Sequence, residues 1–308
     1  MTRIATAISS QIALNELLRN QRELISAQSE VASGKKATDL KGLGSQLGTL
    51  SAARALAARN DGYLAAAQET SSRLAAQDLA LGEVAGAADD LRQAVTDAIA
   101  LDSGTTLMQR LGAAFDRALG GLNTKFAGRA LFGGSKVDSP PVNISTLDAL
   151  GSAASAASIF TNTKVKATAQ IDNGPPVTVG FLADDIGTGL MSAIKSIKEY
   201  NDSASGPFGA KLTAAQKSFL QSTLAGIIST SEALNTQLAS NGLLQSRVEQ
   251  AQKRGEDQKL LLTNVIGGIE DADIATAATH LQQAQTAVEA SARTFSLLRN
   301  LSLLNFLR

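Results

Sequence analysis

The 308-residue sequence contains no cysteine and no tryptophan, and its 28 acidic residues balance its 28 basic ones. Because the formal net charge is zero, the charge balance gives no reason to expect nucleic acid or an anionic membrane as a partner. The lack of cysteine excludes disulfides, thiolate catalysis and cysteine-ligated metal sites in this sequence. Hydrophobic residues make up 44% of the sequence but aromatic residues only 4%, which favours long helices packed through alanine and leucine.

The first residues, from Met1 to Gln11, lack the apolar stretch and the small-residue cleavage site of a secretory signal. No run approaches the roughly 20 apolar residues that a membrane-spanning helix needs. We therefore expect a protein that is cytosolic, or that leaves the cell by a route without a cleaved signal, and that has no membrane partner.

The prolines divide the sequence into two arms and a centre, since all five lie between residues 140 and 207. Proline breaks the interior of a helix, so the proline-free flanks 1–139 and 208–308 are predicted to be helical. The predicted helices, in chain order, are 3–33, 46–101, 106–127, 188–202, 212–265 and a last segment from residue 266 onwards. Gly34 is suited to a left-handed helix C-cap, and Gly267-Gly268 predicts a kink or a break.

The centre is predicted to be a small β-rich insert over residues 138–187. Two runs rich in β-branched residues, 165–171 and 177–181, flank Asn173-Gly174, which is a hairpin signal. Because this insert lies between helical arms, we expect residues 142–187 to be dispensable for assembly.

Both ends of the chain carry apolar residues that recur every seven positions, the spacing that keeps one stripe of a helix facing a partner helix. The N-terminal stripe is interrupted by Gln11, Gln21 and Gln28, so we expect it to need a partner, with the C-terminal helix as the nearest candidate. The predicted assembly residues are Leu17, Leu18, Leu24, Ile25, Val31, Ile274, Leu281, Val288, Phe295, Leu298, Leu301 and Leu304.

The residues that could bind a metal or act in catalysis have simpler structural interpretations. His280 is the sole histidine and has no second histidine beside which to bind a metal, so we interpret it as a polar residue on a helix face. The acidic cluster Glu270, Asp271 and Asp273 does not match the spacing of a calcium loop, and it fits the acidic start of a helix better. We therefore predict no catalytic residue, no cofactor and no metal site.

Four segments together resemble the bacterial flagellin family. They are residues 28–36 (Gln-Ser-Glu-Val-Ala-Ser-Gly-Lys-Lys), 128–141 (Gly-Arg-Ala-Leu-Phe-Gly-Gly-Ser-Lys-Val-Asp-Ser-Pro-Pro), 268–273 (Gly-Ile-Glu-Asp-Ala-Asp) and 301–307 (Leu-Ser-Leu-Leu-Asn-Phe-Leu). The second and fourth are most similar to the flagellin-like members that join the hook to the filament. Residues 37–41 depart from the paired-aspartate loop of the family, and the terminal Arg308 is shared with many filament flagellins.

The resemblance implies a mainly α fold, an elongated bundle of long helices with the terminal helices paired and a β-rich insert in the middle. The expected divisions are 1–45, 46–137 paired with 188–265, 138–187 as the insert, and 266–308. It implies a flagellar structural subunit, exported unfolded and extracellular, that binds like subunits and other axial proteins and accepts an export chaperone. An adaptor between hook and filament is favoured. A filament-forming flagellin is the alternative, and a helical signalling module is less favoured.

Overall fold

The computed structural model describes the backbone of residues 2–37 and 44–304, and the side chains of 8–37 and 44–299. The protein is mainly α-helical with two small antiparallel sheets, as the sequence predicts. The long helices contain no proline, and leucine and alanine recur along them at helical spacing. The helices are α1 (Thr2–Ser33), α2 (Leu47–Ala100), α3 (Leu107–Leu122), α4 (Leu147–Ser152), α5 (Ala183–Asp202), α6 (Ala214–Glu270) and α7 (Ile274–Leu304).

Each sheet is a short hairpin. Strands β1 (Lys125–Phe126) and β2 (Arg129–Ala130) pair with Phe126 opposite Arg129, and strands β3 (Thr168–Ala169) and β4 (Val177–Thr178) pair with Ala169 opposite Val177. The second hairpin is the one that Asn173-Gly174 predicts, and the Gly174 N–H donates to the Asp172 carboxylate over 2.8 Å in its turn.

The described chain divides into two compact units. The terminal unit comprises Met1–Arg59 and Gln258–Arg308, and the central unit comprises Asn60–Asp257. Both hydrophobic core clusters of the described residues lie in the central unit.

The core of the central unit follows a seven-residue repeat on both of its long helices. On α2, the residues that the sequence marks as a heptad are all fully buried, namely Leu74, Leu81, Ala88 and Val95. On α6 the corresponding stripe is Leu220, Ile227, Leu234, Asn241 and Val248, each 2% exposed or less. Phe115 of α3 and Ile194 of α5 are also fully buried in this core.

The central insert is part of this core rather than an appendage to it. Val142, Leu150 and Ile159 are buried in the larger cluster. The β3–β4 hairpin forms the smaller cluster, in which its apolar residues pack with residues of α2 and α6: Ala67, Leu74, Ile171, Val177, Val179, Val248 and Ala251. Replacing 142–187 by a flexible linker would expose these helix residues, so this packing argues against the expectation that the insert is dispensable.

Several element boundaries differ from those predicted. Helix α5 begins at Ala183 rather than at 188, so the last residues of the predicted 138–187 insert are helical. Helix α3 ends at Leu122 rather than 127, because Ala127 and Gly128 both take positive φ (49° and 79°) and close the β1–β2 turn. Helix α6 runs through Gly267-Gly268, and the chain leaves the helix only at 271–273. Gly34, by contrast, has the predicted left-handed conformation, with φ of 67° and its N–H bonded to the carbonyl of Glu30.

Candidate assembly interface

Helices α1 and α7 pack against each other as an antiparallel pair in the terminal unit. Two contacts fix which residues lie opposite each other: the Asn20 side chain donates to Ser291 Oγ, and Lys35 forms an antiparallel backbone bridge with Asp271. Ala27 and Ala284 line a groove of about 380 Å³ between the helices. Ala13 and Leu298 line a second groove of about 410 Å³.

Steps of seven residues from the Asn20–Ser291 contact place Ala27 opposite Ala284 and Ala13 opposite Leu298, the pairs that line the two grooves. Small layers such as Ala27 with Ala284 alternate with larger layers that each hold two bulky side chains. From the helical spacing between those steps, we infer that the larger layers pair the partly buried Val31 with Leu281, Leu24 with Val288, and Leu17 with Phe295.

The structure places the sequence-predicted assembly residues in three groups. Leu17, Leu24, Val31, Leu281, Val288, Phe295 and Leu298 are partly buried and lie on the seam. Leu18, Ile25 and Ile274 are 47%, 65% and 51% exposed and lie off it. Leu301 and Leu304 lie beyond the residues whose side chains are described.

The interpretation of the interrupting glutamines was wrong. Gln11, Gln21 and Gln28 are exposed on the outer face of α1. Each of the apolar pairs 17–18 and 24–25 offers two residues that could face the partner helix. The seam uses the first residue of each pair, and the glutamines lie away from that stripe. The polar residue in the seam is Asn20, which is 9% exposed. Its position, seven residues before the buried Ala27, is the signal that could have found it.

A cluster of charged residues holds the end of α1 to the junction between α6 and α7. The Lys36 N–H donates to the Glu270 carbonyl over 2.7 Å, and the Ala272 N–H donates to the Gly34 carbonyl over 2.9 Å. Lys35 Nζ contacts Asp271 at 2.7 Å and Glu270 at 3.3 Å, and Arg54 of α2 forms an ion pair with Glu270 at 2.5 Å. The hydrogen bonds to Asp271 and then to Glu270 raise the pKa of Lys35 above its usual value.

The acidic cluster therefore does two things. Asp273 starts α7, since its carboxylate accepts from the Ala275 N–H at 3.0 Å and from the Thr276 hydroxyl at 2.9 Å. The hydroxyl first, and then the N–H, lower the pKa of Asp273. Glu270 and Asp271 instead bind Lys35 and Arg54, and we call these four residues the ionic latch.

Comparison with family models decides the family of this chain. Residues 4–137 match the bacterial flagellin N-terminal helical region, and residues 224–307 match the bacterial flagellin C-terminal helical region. The chain belongs to the bacterial flagellin family. Flagellins are structural proteins of the flagellar axis that assemble with like subunits, so this flagellin-family chain is a structural flagellar component and not an enzyme.

Two solved structures have a similar fold. A flagellar hook-associated protein from Vibrio parahaemolyticus is 14% identical with a TM-score of 0.59, and the match covers 73% of this flagellin-family chain and 97% of that chain. Bacillus cereus FlgL is 13% identical with a TM-score of 0.54, covering 68% and 96%. At these identities the likeness shows the fold alone. No curated protein matches the sequence.

The exposed apolar residues of this flagellin concentrate in the terminal unit. Of the sixteen large hydrophobic side chains that are exposed in the described residues, eleven lie there: Ile8, Ile12, Leu18, Ile25, Leu47, Leu56, Leu260, Leu261, Val265, Ile274 and Leu297. In the described parts of α1 and α7, the buried residues are Asn20, Ala27 and Ala277, and no bulky apolar side chain is fully covered. The terminal unit thus has apolar surface that its own fold leaves in water.

His280 lies on the exposed face of α7, in the groove that Glu23 and Glu30 also line. Within residues 8–37 and 44–299, the structure brings together no group of three histidine or acidic side chains with the geometry of a metal site. None of the helices, as far as they are described, is both long and apolar enough to cross a membrane.

Proposed function

We propose that this flagellin-family subunit is the adaptor that joins the flagellar hook to the filament. The observation that carries the proposal is that the fold matches nearly the full length of two hook-associated relatives. Residues 128–141 and 301–307, whose sequences are most similar to junction members of the family, add support from the sequence.

The terminal unit is the part that would bind neighbouring subunits. Its exposed isoleucines and leucines are 36–65% exposed. A neighbour that covered them would add part of the roughly 1.5–3 kcal/mol that complete burial of such a side chain contributes. Seven bulky seam residues are only partly covered in the single chain, namely Leu17, Leu24, Val31, Leu281, Val288, Phe295 and Leu298. Axial neighbours on the hook side and on the filament side would complete their burial.

Export without a cleaved signal, with an export chaperone as a transient partner, also belongs to this proposal. Export of this kind predicts that the subunit recovered from intact flagella has lost at most its initiator methionine, and that no leader peptide has been cleaved from it. Mass spectrometry of the intact subunit tests this, and a mature chain that lacks its first 15–30 residues, the usual length of a secretory signal, would contradict it.

Immunogold labelling of isolated flagella tests the adaptor role. An epitope tag at Val165, which is 63% exposed in the insert, provides the label, and the same tag on the hook protein marks the hook. The adaptor role predicts a single narrow band where the hook meets the filament. Label along the whole filament would instead establish the alternative, a filament-forming flagellin.

Deletion of the gene separates the same two functions. Loss of an adaptor should leave hooks without attached filaments while filament subunits are still secreted into the medium. Filaments that persist in the deletion strain would rule out the adaptor role. So would a medium without filament subunits, since this chain would then itself be the filament subunit.

A further inference from the structure

Asn20 is the buried polar residue in the described part of the α1–α7 pair. Its Nδ2 donates to Ser291 Oγ over 2.5 Å and lies 3.4 Å from the Ala287 carbonyl oxygen. The Ser291 hydroxyl donates in turn to the same carbonyl over 2.7 Å. The contact is therefore a short chain of hydrogen bonds across the middle of the seam.

The apolar layers around Asn20 do not determine which residues lie opposite each other. If α7 slid along α1 by one heptad, Leu24 would meet Leu281 or Phe295 in place of Val288, and these layers would again be apolar. Repeats of this kind tolerate such a shift because each layer accepts several aliphatic partners. Apolar packing alone therefore leaves shifted pairings competitive with the observed one.

Asn20 does distinguish between these pairings. After a shift by one heptad in either direction it would lie opposite Ala284 or Leu298, neither of which has a side-chain acceptor. Its amide would then be covered by apolar atoms without the Ser291 hydroxyl, and a buried amide that lacks its partner is costly.

The ionic latch also restrains the pair, but only at one end. It holds Gly34 beside Ala272 through backbone hydrogen bonds, and Lys35 is half exposed there. The middle of the seam lies about 20 Å further along the helices, and there the alignment depends on Asn20 and Ser291.

The central unit uses buried asparagines in the same way. Asn60 of α2 donates to the Gly255 carbonyl of α6 over 2.8 Å, and Asn241 of α6 donates to the Leu74 carbonyl of α2 over 3.0 Å. Asn60 is 4% exposed and Asn241 is fully buried. A buried amide that reaches across a long helix pair is thus a repeated feature of this chain.

We propose that Asn20, through Ser291, is the specificity-determining residue of the terminal helix pair, and that it rejects pairings displaced by one heptad. The apolar layers supply the association, and the amide selects the alignment. The inference concerns the pair itself and holds wherever in the flagellum the subunit lies.

Disulfide trapping in the full-length protein tests the proposal, since the chain has no cysteine of its own. The double variant Val31→Cys with Leu281→Cys reports the observed alignment. The matched variant Val31→Cys with Val288→Cys reports a shifted one, because residue 288 lies roughly 10 Å further along α7, beyond the reach of a disulfide. Both are oxidised under identical conditions, and the intramolecular cross-link is measured by peptide mapping.

In the otherwise unchanged chain, we expect the observed-alignment reporter to cross-link and the shifted reporter to remain at background. Asn20→Leu should raise the shifted cross-link about tenfold, in line with the free energy of a lost buried hydrogen bond, and Ser291→Ala should change it in the same direction. Helicity by circular dichroism should stay unchanged in both.

Three results would overturn the proposal. The shifted cross-link could stay at background in Asn20→Leu, or both cross-links could disappear because the helices separate, which would make Asn20 a stabilising residue rather than a selective one. A rise in Lys35→Ala without a rise in Asn20→Leu would assign the alignment to the ionic latch.

Discussion

Lys35 meets Asp271 twice, through an antiparallel backbone bridge and through a contact of 2.7 Å between its Nζ and the carboxylate. Glu270, which is 8% exposed, binds Lys35 on one side and Arg54 on the other. Glu270 of α6 thus joins the segment after α1 to α2, and these ion pairs add to the backbone hydrogen bonds that attach the end of α1 to the α6–α7 junction.

The first prediction is that salt loosens this attachment. Raising the ionic strength shortens the screening length to roughly 3 Å at 1 M, so amides 30–37 and 268–273 should exchange faster in hydrogen-exchange measurements. Glu270→Gln should give the same fast exchange at low salt and remove most of the salt effect. Glu289→Gln, at an exposed position of α7, is the control, and an equal response in the control would count against the latch.

The second prediction concerns the insert. Ile171 is 3% exposed in the cluster with α2 and α6, while Val165 in the same insert is 63% exposed. Ile171→Ala should lower the free energy of unfolding by about 2–4 kcal/mol, and Val165→Ala should change it by less than about 0.5 kcal/mol. Urea denaturation measures both, and equal small effects would mean that the insert adds nothing to the core.

The third prediction is a pH dependence in the central unit. Burial alone would raise the pKa of Asp184, but hydrogen bonds from Lys164 and then Asn162 outweigh it and lower the pKa. A carboxyl whose folded-state pKa is depressed stabilises the fold above its unfolded pKa of about 3.9, and that contribution disappears as the pH falls through the lower folded value.

Asp184→Asn should therefore destabilise the protein at pH 7 by about 1 kcal/mol or less, because solvent screens part of the interaction. The difference between variant and parent should shrink as the pH drops below about 3.9. Asp116→Asn, at an exposed position of α3, is the control. Thermal unfolding between pH 7 and pH 2 gives the comparison, and a difference that grows toward acid would reverse the sign assigned to Asp184.

The fourth prediction separates assembly from folding. Leu281→Asp places a charge on the seam, whereas Gln282→Asp places one on the exposed face beside it. We expect Leu281→Asp to leave the thermal unfolding of the central unit unchanged and to block incorporation into flagella, scored in cells that lack the parent chain. Normal flagella with Leu281→Asp would show that the seam is not the assembly surface, and a fall in the melting temperature of the central unit would show that assembly and folding are not separable at this residue.

Long regular repeats were predictable from the sequence because each residue's environment follows from its own helix. The heptad Leu74, Leu81, Ala88 and Val95 is an example, and all four residues are fully buried. The hairpin at Asn173-Gly174 was predictable for a similar reason, since its turn geometry is local. The β1–β2 turn was missed because Ala127, an alanine, takes a positive φ there.

The packing of the insert and the choice of seam were not predictable in the same way. Whether Ile171 covers Leu74 depends on tertiary contacts that no local pattern encodes. On α1, Leu17 and Leu18 are equivalent as sequence, and only the partner helix decides which of them faces it. The sequence does not identify Asn20, because a polar residue in a heptad is indistinguishable from an interruption until its partner, Ser291, is known.

We propose that the terminal unit is weakly held in the free subunit and becomes ordered by its neighbours on assembly. Large apolar side chains are buried throughout the central unit, while those of α1 and α7 that are described stay partly or fully exposed. Local opening is easiest where little apolar surface is covered. The ordering of both ends on assembly is then folding coupled to binding.

Amide hydrogen exchange on the purified monomer and on isolated flagella tests this claim most directly. In the monomer, residues 8–33 and 274–299 should exchange much faster than residues 74–98 of the central seam, and their protection should rise sharply in the assembled flagellum. The claim would be contradicted if both ends were protected in the free monomer as strongly as residues 74–98. The terminal helix pair would then be stably folded before any neighbour binds.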